Sequence, residues 1–372
     1  MKIYKNILIV VASLTEGGAE RVSAEWATLL AASGHKVSIL TDMSRPITFS
    51  LAAGVKIHDF GLSVKARWWA FSRFISRVNV LLKLFKVIST EKTDVVIDVG
   101  HQYGFEVLAA TRIFRIKALQ TDHNACTRPD DMPMAFRDKY RKFIQSRLFD
   151  GITVLTRADY REMQRRRVTR AYVLFNPLSL PPYKRNNDLR KTILAIGRTD
   201  AWKIKGFDIL ISAWKKLWSR YPDWNLRIIG SGSEKSSDYL RKVAEECPTI
   251  EFVPFQDNIV AEYRNADIFV LSSRCEGWGL VAVEAMSQGC AVVACDFEGR
   301  QSEYIDNNVT GILCKPGNAD VLADKIESLI TNDALRLRLQ CNAPQIAERF
   351  SPKLIGHSLE KIIYRICGDR ES

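Results

Sequence analysis

Short apolar segments alternate with longer stretches of helical periodicity along the whole sequence. The apolar segments suit strands that are buried on both faces, and the stretches between them suit helices. This alternation is typical of βαβ units, in which helices cover parallel sheets. We therefore expect an α/β protein with two Rossmann-like domains. The predicted strands fall into two groups, namely 7–12, 36–41, 95–99, 118–121, 152–155 and 172–175, then 193–197, 226–230, 251–253, 268–271, 291–294 and 311–313.

A proline-rich segment over residues 176–191 separates the two groups of strands. It holds three of the twelve prolines and has little apolar periodicity, a composition typical of a hinge. The expected boundaries are a first domain over 1–176, a hinge over 177–191 and a second domain over 192–350. Residues 351–372 are expected to form a terminal helix, because Ser351-Pro352 is a typical helix start.

The net charge of +12 belongs entirely to the first half of the chain. Residues 1–176 have 28 basic and 16 acidic side chains, whereas the remainder has 26 of each. A uniformly basic chain would suggest nucleic-acid binding, but a basic half joined to a neutral half suggests that the first domain docks on an anionic surface. The eight cysteines form no CxxC pair, and no apolar run approaches the roughly 20 residues that span a bilayer. Reduced thiols and a cytoplasmic location are therefore expected.

Three loops carry groups that suit a phosphate. Gly17-Gly18 joins the first strand to the first helix, where backbone N–H groups can approach an anion closely, although a tight turn without a ligand needs the same residues. Arg198 and Lys205 follow the first strand of the second domain and suit a pyrophosphate, although an ordinary charged loop has the same composition. Gly230 lies in a weaker loop, which lacks the third glycine of the dinucleotide fingerprint.

The strongest local pattern is EGWGLVAVEAMSQG, which begins at Glu276. Gly277 and Gly279 free the backbone, and a helix is expected to start at about Leu280 with unpaired N–H groups at its beginning. Glu284 lies about one turn into that helix among apolar residues, so its carboxylate needs a partner. Both carboxylates could reach one ligand, and the alternative is a structural, salt-bridged Glu284.

Six motifs occur in an order that resembles one known family. They are GGAE after the first strand, QTDHN at a strand end, NP at the hinge, GR…KG and GxG in the second domain, and EGWGLVAVEAMSQG. The sequence resembles the retaining glycosyltransferases of family 4, which have the GT-B fold. The resemblance spans almost the whole chain. It implies two domains that face each other across a cleft, with a C-terminal helix that crosses back to the first domain.

The resemblance also implies a role for each matching residue. His123 matches the family's active-site histidine near the donor sugar, and Glu276 matches the residue that contacts the transferred sugar. Arg198 and Lys205 would hold the pyrophosphate and complete the catalytic set. The donor-binding set comprises Gly17 and Gly18 at the donor phosphate, Glu284 at the ribose hydroxyls, and Gly230, Gly277, Trp278, Gly279 and Leu280. Pro254, Trp278 and Gly299-Arg300 depart from the family's usual residues.

The implied reaction is transfer of a hexosyl unit with retention of configuration. The donor would be a nucleotide diphosphate sugar, preferably a UDP-sugar, and the acceptor a lipid-linked saccharide of lipopolysaccharide, capsule or exopolysaccharide biosynthesis. No Asp-x-Asp pair occurs, so the usual carboxylate clamp for a divalent metal is missing, and neither a metal nor another cofactor is expected. A nucleotide-sugar epimerase or phosphorylase of similar fold is the alternative. A dinucleotide-dependent oxidoreductase would need a glycine fingerprint, and a nucleic-acid-binding protein would leave the neutral half without a role.

The segment 65–87 combines aromatic and basic residues at helical spacing. A basic, aromatic-rich amphipathic helix can lie at the headgroup layer of an anionic membrane. Peripheral attachment to the inner face of a bacterial plasma membrane is therefore expected, or contact with the diphosphate of a lipid-linked acceptor. The alternative is a helix packed on the sheet, with solvated basic residues. The predicted contact residues are Lys65, Arg67, Trp68, Trp69, Arg73 and Arg77.

Overall fold

The computed structural model describes residues 4–15, 17–61, 70–186, 188–256 and 258–369. The chain divides into two compact units. The first unit contains Met1–Thr127, Met132–Pro177 and the chain from Pro352 onward, and the second contains Arg128–Asp131 and Leu178–Ser351. Within the described ranges, no helix is both long enough and apolar enough to cross a membrane.

The first unit contains a seven-stranded sheet. Its strands are β1 (Asn6–Val10), β2 (Lys36–Thr41), β3 (Lys56–Asp59), β4 (Val95–Val99), β5 (Lys117–Thr121), β6 (Gly151–Val154) and β7 (Ala171–Val173). They lie in the order β3-β2-β1-β4-β5-β6-β7, and adjacent strands are parallel. Apolar side chains fill much of the centre of the sheet, where Leu8 and Ile9 in β1 lie beside Val96 and Ile97 in β4 and all four side chains are buried.

Helices connect these strands along the chain. They are α1 (Gly18–Ala32), α2 (Ala70–Glu91), α3 (Gly104–Phe114), α4 (Phe136–Phe143) and α5 (Arg157–Arg165), with a 3₁₀ turn over Gln145–Leu148. Because each crossover returns the chain to the same end of the sheet, the loops that follow the strands gather at one edge.

The second unit contains a six-stranded parallel sheet. Its strands are β8 (Thr192–Ile196), β9 (Asn225–Ile229), β10 (Ile250–Val253), β11 (Ile268–Leu271), β12 (Ala291–Cys295) and β13 (Ile312–Cys314). They lie in the order β10-β9-β8-β11-β12-β13, the order typical of a doubly wound, Rossmann-like sheet. Its helices are α6 (Trp202–Lys205), α7 (Phe207–Lys215), α8 (Glu234–Ala244), α9 (Ile259–Arg264), α10 (Leu280–Ser287), α11 (Ala319–Thr331), α12 (Asp333–Asn342) and α13 (Ile346–Arg349).

The terminal helix α14 (Pro352–Cys367) belongs to the first unit. Its buried side chains Leu359 and Ile363 supply apolar packing. Polar contacts fix the helix as well, since Glu360 Oε1 lies 3.0 Å from His35 Nε2. Just beyond the helix, Asp369 Oδ2 lies 2.7 Å from Lys5 Nζ. The C-terminal helix therefore returns to the first domain, as the resemblance implies.

The predicted fold class, two Rossmann-like domains with parallel sheets, is confirmed. Every predicted strand is present, and its ends differ from the prediction by at most two residues. The edge strand β3 was not predicted, because its sequence KIHD has one apolar residue and its side chains are only partly buried. The pattern of apolar runs detects strands that are buried on both faces and misses such an edge strand.

Candidate active site

The sequence-predicted donor residues of the second unit lie at one edge of its sheet. Arg198 follows β8, Gly230 follows β9, and Glu276 follows β11. The carboxyl ends of parallel strands meet at the same edge, which is where open α/β sheets bind ligands. The structure therefore places these three residues in neighbouring loops.

Two of these loops approach each other so closely that only glycine fits. A Cβ atom at Gly230 would overlap the Gly197 carbonyl oxygen, and one at Gly232 would overlap Thr199 Oγ1. Asp200 ties the same loops together, because its Oδ1 accepts hydrogen bonds from the Ser233 backbone N–H at 2.9 Å and the Ser233 hydroxyl at 2.6 Å. These hydrogen bonds lower the pKa of Asp200 to about 2.

Arg198 is exposed beside this pair of loops. It precedes a 3₁₀ turn over Thr199–Ala201 and has extended backbone geometry. The guanidinium is thus carried by a loop whose shape is fixed by its neighbours, at the edge where open α/β sheets bind ligands. An exposed fork of five donors in this position suits a diphosphate.

Lys205 and Glu276 form an ion pair, with 2.7 Å between Lys205 Nζ and Glu276 Oε2. The same carboxylate oxygen accepts a hydrogen bond from the Ser273 hydroxyl at 3.1 Å. Gly206 makes this arrangement feasible, because it has a φ of 66° and a Cβ there would overlap the Ser272 carbonyl oxygen. The pair is partly exposed, with 23% of the Lys205 side chain and 17% of the Glu276 side chain accessible. It is therefore within reach of a ligand.

Helix α10 begins directly after this pair, at the predicted residue Leu280. Gly279 precedes it with a φ of 83° and offers no side-chain cap. A Cβ at Gly279 would meet Leu271 at 2.8 Å and the Tyr304 hydroxyl at 3.0 Å. The sequence EGWG thus forms a tight turn before the helix. The first N–H groups of the helix receive no side-chain cap from Gly279.

The two glutamates of the motif lie in different environments. Glu284 is buried, with 3% of its surface exposed, and its Oε2 accepts a 2.8 Å hydrogen bond from the Tyr263 hydroxyl. Tyr263 was not predicted to take part in the site, and nothing in its local sequence indicates it. The ribose contact of Glu284 stays a prediction, whereas Glu276 is the accessible carboxylate.

The Trp278 side chain is buried, and a donor contact at this position stays a prediction. Its ring is 2% exposed and lies 5.0 Å from the rings of Tyr304 and Phe350. An indole enclosed in this way stabilises the core below the loop, so any donor contact at this position is left to the backbone. Arg300, which departs from the family pattern, is also buried, with its Nη1 2.9 Å from Glu298 Oε2.

The predicted phosphate turn of the first unit forms the start of α1. Gly17 has a φ of 125° and precedes the first helical residue, Gly18. A Cβ at Gly17 would overlap the Glu20 carboxylate, whereas one at Gly18 would meet no atom within 4 Å. Gly17 is therefore required by the backbone, and open space lies beside Gly18, which fits the predicted approach of an anion.

His123 follows β5 in the first unit. Its ring lies 5.4 Å from the Trp26 ring, and its Nε2 lies 3.3 Å from Thr121 Oγ1. Burial lowers the pKa of His123 to about 4, against the opposing effect of the nearby Asp122 carboxylate. The imidazole is therefore neutral at pH 7. One ring nitrogen can then accept a hydrogen bond from a sugar hydroxyl, or the other can donate one to it.

Family models match both units. Residues 181–346 match the model described as "Glycosyl transferases group 1", and residues 17–179 match the "Glycosyl transferase 4-like domain". The chain belongs to the glycosyltransferases of family 4. The first match contains Arg198, Lys205, Glu276 and Glu284, and the second contains Gly17, Gly18 and His123.

Whole-length relatives are also glycosyltransferases. An uncharacterized glycosyltransferase of Haemophilus influenzae is 28% identical over 93% of this chain and 94% of its own. The amylovoran biosynthesis glycosyltransferase AmsD of Erwinia amylovora is 24% identical over 95% of this chain and 97% of its own. Among solved structures, Anabaena HepE in complex with UDP-glucose has a TM-score of 0.78 and 17% identity, and the match covers 97% of this chain and all of that chain. At 17% identity, the similarity to HepE shows a shared fold.

The predicted membrane contacts of this glycosyltransferase are only partly described. Lys65, Arg67, Trp68 and Trp69 lie outside the described residues, and Arg73 lies in α2 with its side chain outside them. Arg77 forms an ion pair with Glu106, in which Nη2 donates to Oε2 at 2.7 Å, and its Nη1 donates to the Gln102 carbonyl at 2.9 Å. Arg77 is thus paired with groups of its own domain, and the membrane contact of this segment stays a prediction.

Proposed function

We propose that this glycosyltransferase moves a hexosyl unit from a UDP-sugar to a lipid-linked saccharide, with retention of configuration, at the inner face of a bacterial plasma membrane. The observation that carries the proposal is the Lys205–Glu276 ion pair at the sheet edge, beside Arg198 and the start of α10. These groups supply what departure of a nucleoside diphosphate requires, namely cations for the diphosphate and a carboxylate for sugar hydroxyls.

Negative charge grows on the diphosphate as the glycosidic bond breaks, so groups placed in advance around it lower the barrier. The two N–H donors of the Arg198 fork would bind the diphosphate. Lys205 would donate a hydrogen bond to it while keeping its ion pair with Glu276. Glu276 keeps its hydrogen bond from Ser273 and accepts one from a hydroxyl of the transferred sugar. The acceptor hydroxyl then attacks from the face that the diphosphate leaves, and a phosphate oxygen takes its proton.

Polysaccharide assembly is the proposed context. The relative AmsD is named for amylovoran biosynthesis, and the solved structure of HepE contains UDP-glucose. Both observations concern other proteins and support a UDP-sugar donor and a surface-polysaccharide acceptor for this one. The basic first half of the chain supports an acceptor presented at an anionic membrane.

Calorimetry with UDP tests the donor site directly. The Arg198→Ala variant is expected to bind UDP about ten- to a hundredfold more weakly, because a hydrogen bond to a charged group contributes about 1.5–3 kcal/mol. Glu284→Ala is expected to weaken binding as well, through loss of the proposed ribose contact.

The matched control is Arg241→Ala, which removes an exposed arginine of the same unit whose ion pair is with Asp238 on its own helix. Its UDP affinity is expected to equal that of the wild type. Equal affinity in all four proteins would reject the donor site, and binding of GDP or ADP in preference to UDP would reject the proposed base.

A further inference from the structure

Exposed apolar side chains are concentrated in one part of the first unit. Among the described residues, ten large apolar side chains between positions 75 and 148 are exposed, whereas the second unit exposes four. The most exposed are Phe136 at 84%, Ile113 at 64% and Leu82 at 58%. Clustered exposure of this kind marks an interaction surface, because isolated exposed apolar residues are normal and concentrated ones are not.

The elements that carry these side chains are neighbours. The Phe105 ring of α3 stacks on the Tyr140 ring of α4 with 6.3 Å between centroids. In α3, Arg112 Nη2 donates a 2.6 Å hydrogen bond to the carbonyl oxygen of Leu148, at the end of the 3₁₀ turn. Phe114 lies 5.8 Å from Phe85 of α2. The surface is therefore continuous, and we name it the α3–α4 face. It comprises Phe105, Ile113, Phe114, Phe136, Tyr140, Ile144 and Leu148.

Cations alternate with these apolar side chains. Five of the described exposed residues on α3, on α4, directly after α3 and in the 3₁₀ turn are basic, and they are Arg112, Arg115, Arg137, Lys139 and Arg147. The exposed acid among the same elements is Asp138, and the other acid, Glu106, is buried and paired with Arg77. The α3–α4 face is thus apolar and strongly cationic at once.

We propose that the α3–α4 face docks on an anionic lipid bilayer, with its apolar side chains at the headgroup boundary and its cations against lipid phosphates. A bilayer fits both features, since interfacial binding grows with buried apolar area and with attraction to anionic lipids. A protein partner fits them less well, because it would have to carry acidic residues that match these cations, whereas an anionic bilayer presents phosphates over its whole surface. The inference deepens the proposed function by naming the surface that brings the first unit to its lipid-linked acceptor.

This surface lies outside the segment that the sequence indicated. The repeated pattern FRDKYRKF followed by IQSRL places apolar and basic residues together, but its apolar residues also suit a core helix. Only the structure shows that Phe136, Tyr140, Ile144 and Leu148 are exposed while Phe143 is buried. The α2 side chains Ile75, Val78 and Leu82 are exposed next to the same elements.

Co-sedimentation with vesicles tests the proposal. The probes are vesicles of phosphatidylcholine alone and vesicles in which about one-third of the lipid is phosphatidylglycerol. The wild type is expected to bind the anionic vesicles at least about tenfold more tightly, with loss of this preference at about 1 M NaCl, where the Debye length is about 3 Å. The Arg137→Glu/Lys139→Glu variant is expected to lose tenfold or more of its binding to anionic vesicles.

A second variant, Ile113→Gln/Phe136→Gln/Leu148→Gln, removes apolar contact and keeps every charge. It is expected to bind anionic vesicles at least about tenfold more weakly than the wild type. Two control variants make changes of the same kind elsewhere. Val309→Gln/Leu354→Gln replaces exposed apolar residues outside the face, and Arg241→Glu/Lys242→Glu reverses exposed charges on α8. Both controls are expected to bind vesicles like the wild type.

The proposal is overturned if the wild type ignores anionic vesicles, or if the face variants and the controls lose equal amounts of binding. It is also overturned if the wild type is a dimer that the face variants convert to monomer, because a second copy would then occupy the face. UDP affinity of the face variants is expected to be unchanged. Loss of vesicle binding with retained UDP affinity therefore separates the docking surface from the donor site.

Discussion

Lys142 donates to three acceptors in the loop that carries His123. Its buried ammonium lies 2.5 Å from Asp122 Oδ2, 3.0 Å from the Asn124 carbonyl oxygen and 3.1 Å from the Ala125 carbonyl oxygen. The loop is also held at Cys126, whose N–H donates to Asp159 Oδ1 at 2.7 Å. His123 therefore lies in a loop whose neighbouring residues are fixed by buried charges.

The Lys142→Met substitution is expected to lower the free energy of unfolding by about 3–5 kcal/mol, because it leaves the Asp122 carboxylate buried without its cation. Urea denaturation measures this change. Adding Asp122→Asn keeps the oxygen that accepts from the Asn124 N–H and removes the lone charge, so most of the loss should be recovered. A double variant no more stable than Lys142→Met would contradict the account.

The pKa of Asp98 is raised, whereas the pKa of Asp122 is lowered. Burial raises the pKa of Asp98 to about 7, against a hydrogen bond from Gln120 Nε2 at 3.2 Å. An unfolded aspartate has a pKa of about 3.9. Between these two values the unfolded chain loses its proton while the folded chain keeps it, so this group's contribution to stability declines as the pH rises from about 4 to about 7.

Asp98→Asn should remove that dependence. The free energy of unfolding of the variant, relative to the wild type, is expected to rise between pH 4 and pH 7 by an amount on the order of 4 kcal/mol at most. Taking the difference between the two proteins removes the effect of Asp122, whose pKa is lowered by Lys142 and His101 against burial. If the difference in free energy of unfolding between the variant and the wild type does not change with pH, Asp98 ionises normally and the account is contradicted.

At the scale of elements, the interlocked loops after β8 and β9 depend on glycine. Gly230→Ala places a methyl group against the Gly197 backbone, so both loops must shift. The expected loss is about 1–3 kcal/mol of stability, together with weaker UDP binding. Gly18→Ala has open space and should leave stability within about 1 kcal/mol of the wild type, while weakening UDP-sugar binding if the diphosphate lies there. Thermal unfolding and calorimetry on both variants check this contrast.

The accuracy with which the sequence predicts an element depends on where that element lies in the fold. Central strands such as β11 were predicted to the residue, because burial on both faces makes them continuously apolar. The start of α10 was also predicted correctly, since the two glycines before it mark it. Trp278 illustrates the limit of such patterns, because one aromatic residue beside two glycines suits both a ligand contact and a core position. The Asp122–Lys142 pair joins residues far apart along the chain, and no local pattern indicates such a contact.

At the scale of the whole molecule, catalysis is expected to need no divalent metal. The sequence has no Asp-x-Asp pair, and Arg198 and Lys205 are proposed to supply the positive charge for the diphosphate. Turnover in excess EDTA should therefore equal turnover without it. Loss of activity with EDTA, followed by recovery with Mg²⁺ or Mn²⁺, would show that a metal ion shares the diphosphate site.

The central claim is that the chain transfers a sugar from UDP to a lipid-linked saccharide, and product analysis tests it most directly. The protein is incubated with UDP-glucose or another UDP-hexose and a short-chain polyprenyl-diphosphate-linked saccharide, and the products are examined by mass spectrometry and NMR. The account predicts that the acceptor gains one hexose with the donor's anomeric configuration, and that UDP is released only when the acceptor is present. Release of UDP without an acceptor, an altered sugar on the nucleotide, or an inverted linkage would contradict it.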